Sequence, residues 1–157
     1  MKGRDVNTMG NLLSELVAYP HPMLNHFVIA LLIVSVMLDL WGRWNPRIRY
    51  TAWVTLVLGT LATIPTVITG IVAHVPYEET AAIESIETHE QLGLATAACF
   101  MVLTYWRWRS RRNEGTAPAP VPYLLLAFVG LGVLTATGLT GGQLVYRLGV
   151  GVQRLVK

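Results

Sequence analysis

Charge is what this chain has least of. Only 13% of its 157 residues are Asp, Glu, Lys or Arg, about half the share of an ordinary soluble domain, which excludes a water-exposed globular surface. Cysteine is nearly absent too. The single Cys99 lies within an apolar stretch, so it can form no intrachain disulfide and says nothing about redox compartment. There is no P-loop, no G-x-S-x-G elbow and no dinucleotide fingerprint, so the soluble-enzyme classes those motifs mark have no support, and no catalytic residues are assigned. No convincing long repeat and no low-complexity segment is found.

Apolar residues are plentiful, at 53%. A hydrocarbon core of about 30 Å takes roughly 20 helical residues at 1.5 Å rise, and four segments qualify: 22–42, 51–74, 90–108 and 121–141. They use up most of the chain, so residues 1–157 are read as one membrane domain, an all-α four-helix up-down bundle in contact with the lipid bilayer. The net charge of +3 marks topology rather than nucleic acid. Arg43, Arg47 and Arg49 follow the first segment, and Arg107, Arg109, Arg111 and Arg112 follow the third. The loop between segments two and three carries Glu78, Glu79, Glu84 and Glu87 and no Lys or Arg. By the positive-inside rule the arginine end is cytoplasmic, and both termini are extracytoplasmic. Arg147, Arg154 and Lys157 in the tail run against that assignment. The N-terminus does not read as a cleavable signal, because Asp5 offsets Lys2 and Arg4 and the apolar run is long.

Local signals add detail. Residues 9–19 suit a short interfacial helix stopped by Pro20, and the tail 143–157 suits a second interfacial segment. Pro22 is placed to open the first span, and Pro65 to kink the second. Asp39, one turn from Arg43, is read as its partner. Residues 78–88 fit either a surface helix or an extension of span three. Thr88 and Gln91 have capping-box spacing, which makes His89 a first-turn residue. Residues 113–120 form a Pro-rich loop.

The four histidines share one end of this predicted bundle: His21 and His26 enter the first span, His74 leaves the second and His89 enters the third. Imidazole is costly in lipid and a common ligand of haem iron and other metals. His26 lies deepest. Its pairing with His89 gives the leading haem b reading, with His74 and His21 as a second pair or as supporting groups. The small residues Ala30, Gly70, Gly93 and Ala97 beside these histidines leave room for a porphyrin. Zinc, copper or non-haem iron held with Glu78, Glu79 or Glu90 is an alternative, as is a quinone or proton-handling role. Simple satisfaction of helix ends, with no cofactor bound, is another. The small-residue stripes are equally explained by close helix packing.

Two stretches carry a resemblance. His21-Pro22-x-x-x-His26-Phe27 and the closing Gly141-Gly142-Gln143-Leu144-Val145-Tyr146-Arg147-Leu148-Gly149-Val150-Gly151-Val152 resemble the small four-span bacterial membrane proteins called domain of unknown function 2231. Two departures stand out: Leu148 where members often have histidine, and Val28 where proline often follows the His-Phe pair. The resemblance implies a bacterial inner-membrane protein associated with redox modules. The expectation is an electron-transfer protein or accessory subunit rather than a stand-alone enzyme. Its partners would be membrane or periplasmic redox proteins, a larger respiratory or photosynthetic complex, or further copies of itself. Nucleic acid is not expected.

Overall fold

The computed structural model describes residues 20–114 and 117–151, with side chains 111–114 left aside. The segment 9–19 and residues 152–157 of the tail lie outside the described residues, and the start of the expected interfacial tail 143–157 instead continues the last helix to Tyr146. Four helices follow one another: α1 (Pro20–Trp41), α2 (Arg49–His74), α3 (Ile83–Glu114) and α4 (Val121–Tyr146), with 3-10 turns at Pro46–Ile48 and Val75–Tyr77. Among the described residues there is no strand. Antiparallel neighbours pack in the order α1–α2–α3–α4 and back to α1. The contacts are closest within the hairpins α1–α2 and α3–α4, and looser along the seam between them.

The exterior is apolar, unlike that of a water-soluble bundle, and hydroxyl side chains share the interior with apolar ones. Ser35, Thr60, Thr63, Thr66 and Thr96 are buried, whereas Leu58, Leu61, Ile64, Ile68, Leu125, Phe128 and Val129 are exposed. This follows if the outer solvent is hydrocarbon: apolar side chains lose nothing by facing outward, and interior hydroxyls need partners within the protein. Hydroxyls accordingly bond one helical turn back, as Thr63 does to the Thr60 carbonyl at 2.7 Å. They also pair across helices, Thr60 with Thr104 at 2.7 Å and Thr96 with Thr137 at 3.1 Å. Gly59 lets the first hairpin close, because a Cβ there would lie 2.7 Å from Leu32 Cδ2.

Among the described residues three stretches are long and apolar enough to cross a membrane: Pro20–Trp41, Pro46–Tyr77 and Val121–Tyr146. Helix α3, 32 residues long, has charged ends that lower its average. It nevertheless runs antiparallel to α4 from His89 beside Thr137 and Thr140 to Trp106 beside Tyr123. It also begins earlier than the capping-box spacing predicts. Thr88 is inside the helix, donating to the Glu84 carbonyl at 2.9 Å, so residues 83–88 extend the helix and Thr88 caps nothing.

The end of the bundle opposite the histidines holds a buried ion pair. Asp39 and Arg107 meet across the diagonal, Oδ1 to Nη2 at 3.0 Å. The Tyr123 hydroxyl donates to Asp39 Oδ2 at 2.8 Å, and Arg107 Nη1 to the Ala117 carbonyl at 3.1 Å. The expected Asp39–Arg43 pair is thus corrected. Arg43 instead donates to the Ala119 carbonyl at 2.8 Å, because Asp39 points into the bundle and is only 1% exposed. Trp41, Trp44, Tyr50, Tyr105 and Trp108 are exposed at this same end, the arrangement of an interfacial aromatic belt.

Candidate functional site: two facing histidines

His21 stands on the first turn of α1 and reaches α2. Its Nδ1–H donates to the Thr66 carbonyl at 2.9 Å, with the Thr69 hydroxyl oxygen at 3.3 Å. His89, on the second turn of α3, does the same to α4: Nδ1–H donates to the Thr137 carbonyl at 3.0 Å, with Thr140 Oγ1 at 3.1 Å. A carbonyl can only accept, so both rings carry their proton on Nδ1, and Nε2 has the lone pair. On His21 that lone pair accepts from the Asn25 amide at 3.2 Å. The two rings meet across the bundle diagonal with centroids 6.3 Å apart and planes at 89°.

Glycine makes each seat. A Cβ on Gly70 would lie 2.9 Å from His21 Cε1, and one on Gly141 would lie 2.9 Å from His89 Cε1. Gly70→Ala or Gly141→Ala is therefore expected to cost about 1–3 kcal/mol by overpacking and to break the Nδ1 bond to the carbonyl behind it. Gly132→Ala, where nothing lies within 4 Å of an added Cβ, is expected to melt at or above the wild-type temperature. Thermal unfolding in detergent compares the three.

The two seats are copies of one another. Thr66-Val-Ile-Thr69-Gly70 and Thr137-Gly-Leu-Thr140-Gly141 lie 71 positions apart and hold equivalent rings, while His21 and His89 are 68 apart. The correspondence extends through the hairpins. Gly59 packs on Leu31 and Leu32 of α1, and Gly130 on Cys99 and Phe100 of α3, with the same two offsets. Asp39 and Arg107 are equivalent positions as well. The chain is thus two similar hairpins related by an approximate twofold axis along the bundle. The absence of a long repeat, read from the sequence, is corrected on this point. The T-x-x-T-G signal at 66 and 137 was available, but five residues with three identities do not stand out among so many small and apolar ones.

The other expected ligands are not brought to this pair. His26 is exposed on α1, its Nδ1–H donating to the Pro22 carbonyl of its own helix at 2.6 Å. The ring that meets His89 is His21, because position 21 is in helical phase with the buried Val28, Leu32 and Asp39, whereas position 26 lies about 140° round the helix from it. His74 pairs with Glu90 at 2.9 Å, beside the site rather than in it. Of the expected small residues, Gly70 seats His21, Gly93 has only Thr137 Cγ2 at 3.9 Å from an added Cβ, Ala97 is buried and Ala30 is exposed. Gly141, not singled out for this role, seats His89. Among the described residues no three of His, Cys, Asp and Glu are grouped to hold a metal ion, so the multi-ligand zinc, copper or non-haem iron site with Glu78, Glu79 or Glu90 is not assembled there. Leu148 lines a polar cleft with Ser85, Thr88, Thr140, Gln143 and Arg147.

Comparison with known proteins places the chain in a family without placing its activity. The family profile described as "Predicted membrane protein (DUF2231)" matches residues 20–154. No curated protein and no solved structure matches.

Proposed function

Because the chain belongs to the family of predicted membrane proteins known as domain of unknown function 2231, we propose, from its own site, that it is a membrane electron-transfer protein. In this reading the histidine end takes one haem b between His21 and His89. The observation that carries the proposal is the matched pair of anchored imidazoles. Each donates Nδ1–H to a backbone carbonyl, the outer bond that metal-bound histidines characteristically make, and each is left with Nε2 as its ligating atom. The two rings, with centroids 6.3 Å apart, are the residues that would hold the group.

The donor set fits a haem better than a bare ion. Only two imidazoles converge, one from each hairpin, and the seam between hairpins is the loosest packing in the bundle. His21 of the first hairpin and His89 of the second would hold a group lying in that seam. Bound haem b would supply a reversible one-electron iron couple. The protein's part is to orient His21 and His89 through Thr66 and Thr137, to exclude water, and to release the Asn25 amide from His21 Nε2.

All four helices cross the inner membrane in this reading, α3 by virtue of its full-length packing on α4. The exposed Arg43, Arg47 and Arg109 mark the cytoplasmic end, so the haem would lie towards the extracytoplasmic face, open to a periplasmic or membrane redox partner. The purified chain titrated with haemin is expected to bind one equivalent and to give a low-spin spectrum with a sharp reduced α-band. Failure to bind with a histidine-dependent low-spin spectrum would overturn the proposal.

One observation favours a second reading. The Asn25 amide already satisfies His21 Nε2, so the pair could act only as glue between helices in a cofactor-free accessory subunit. That reading expects no haem binding, together with a loss of stability when either histidine is removed.

A further inference from the structure

We propose that the cleft between the outer ends of α3 and α4 is a binding site for a phosphate group, with Arg147 as its principal ligand. The cleft has a volume of about 270 Å³ and is lined by Ser85, Thr88, Thr140, Gln143, Arg147 and Leu148. Arg147, Gln143 and Ser85 are its donors, the Thr88 and Thr140 hydroxyls already donating to carbonyls of their own helices, and no carboxylate lines it. A guanidinium offers a planar fork to oxyanions, while the Ser85 hydroxyl and the Gln143 amide supply the further donors that a tetrahedral group with several oxygens takes.

The approximate twofold axis argues that this polarity is not demanded by the fold. The first hairpin carries Pro20, Val72 and Pro76 at the places equivalent to Thr88, Gln143 and Arg147. The same helix pairing is therefore made there without a cation, an amide or a hydroxyl at these positions. Thr140 links the cleft to the histidine pair, since its Oγ1 also receives the His89 Nδ1–H. The inference stands whether or not haem is bound.

Phosphate could come from a phospholipid headgroup in the adjoining leaflet or from solution, and the experiment separates the two. The full-length chain, purified in a phosphate-free maltoside detergent, is titrated with inorganic phosphate while the side-chain 15Nε resonance of Arg147 is followed. In parallel, phosphatidylglycerol retained after transfer from vesicles is counted by native mass spectrometry. A saturable Arg147 shift with inorganic phosphate and no retained lipid assigns a soluble source. Retained lipid, released by Arg147→Gln, assigns the headgroup. In either case Arg147→Gln is expected to weaken binding about tenfold or more, and Arg147→Lys less. Gln143→Leu is expected to weaken it by a smaller factor, which guards against an effect special to position 147. No response to either probe, or equal binding by wild type and Arg147→Gln, overturns the inference.

Discussion

Replacing Asp39 with alanine is expected to destabilise the folded bundle by about 3–5 kcal/mol, the usual cost of leaving one charge of a buried pair without its partner. Arg107 is 2% exposed and lies 3.0 Å from the carboxylate. It has no route to headgroups without dismantling the end of the bundle, because it also holds the Ala117 carbonyl. Arg107→Ala is expected to cost a similar amount, leaving Asp39 with only Tyr123 among the contacts described above. The double replacement Asp39→Leu with Arg107→Leu is expected to recover much of the loss, since apolar pairs of similar volume often match a buried ion pair. Tyr123→Phe removes one hydrogen bond to a charged group and is expected to cost about 1.5–3 kcal/mol. Reversible unfolding in mixed micelles, analysed as a double-mutant cycle, measures these terms. A change below about 1 kcal/mol for Asp39→Ala would show that water reaches this pair.

The second large effect is at the other end. With haemin as the probe, His21→Ala and His89→Ala are each expected to lower affinity by at least about a hundredfold, corresponding to roughly 2.7 kcal/mol, and to abolish the low-spin spectrum. The two losses should be similar, because the seats are equivalent: a threonine carbonyl behind each ring and a glycine beneath it. His26→Ala is expected to leave affinity within about twofold, since its ring points away from the pair and bonds to its own helix. Loss of binding in His26→Ala with retention in His21→Ala would reverse the ligand assignment. Haem bound equally by all three variants would remove the haem from this site altogether.

The two polar junctions explain each other. His21 to Asp39 along α1 and His89 to Arg107 along α3 are both eighteen residues apart, about 27 Å of helix and close to the thickness of a hydrocarbon core. Both junctions lie on the α1–α3 diagonal, and the chain between them is closed by Leu32, Phe100 and Leu103, each 0% exposed. At one end the axis brings together two like, neutral rings. At the other it brings together opposite charges. A pair of first hairpins alone would oppose two aspartates there, and a pair of second hairpins two arginines, so the ion pair also favours joining the first hairpin to the second.

How much of this was legible in advance follows from the range of each interaction. Apolar length and the placement of arginine and tryptophan are local properties, and they were enough to specify an all-helical membrane bundle, its turns near residues 45 and 118, and a histidine end opposite an arginine end. The small residues flanking the histidines were visible too. Which histidine faces which was not. A ring's direction depends on how its helix is rotated against its neighbours, and burial of Val28, Leu32 and Asp39 turned His21 inward and His26 outward. The same rotation took Asp39 from Arg43, one turn away, to Arg107 on the opposite helix. Composition and hydropathy thus determined the all-helical membrane class and the separation of a histidine end from an arginine end, because lipid acts on every residue alone. Only the tertiary structure decided the His21–His89 pair, the Asp39–Arg107 pair and the twofold relation of the hairpins, because each depends on side chains that meet 68 residues apart.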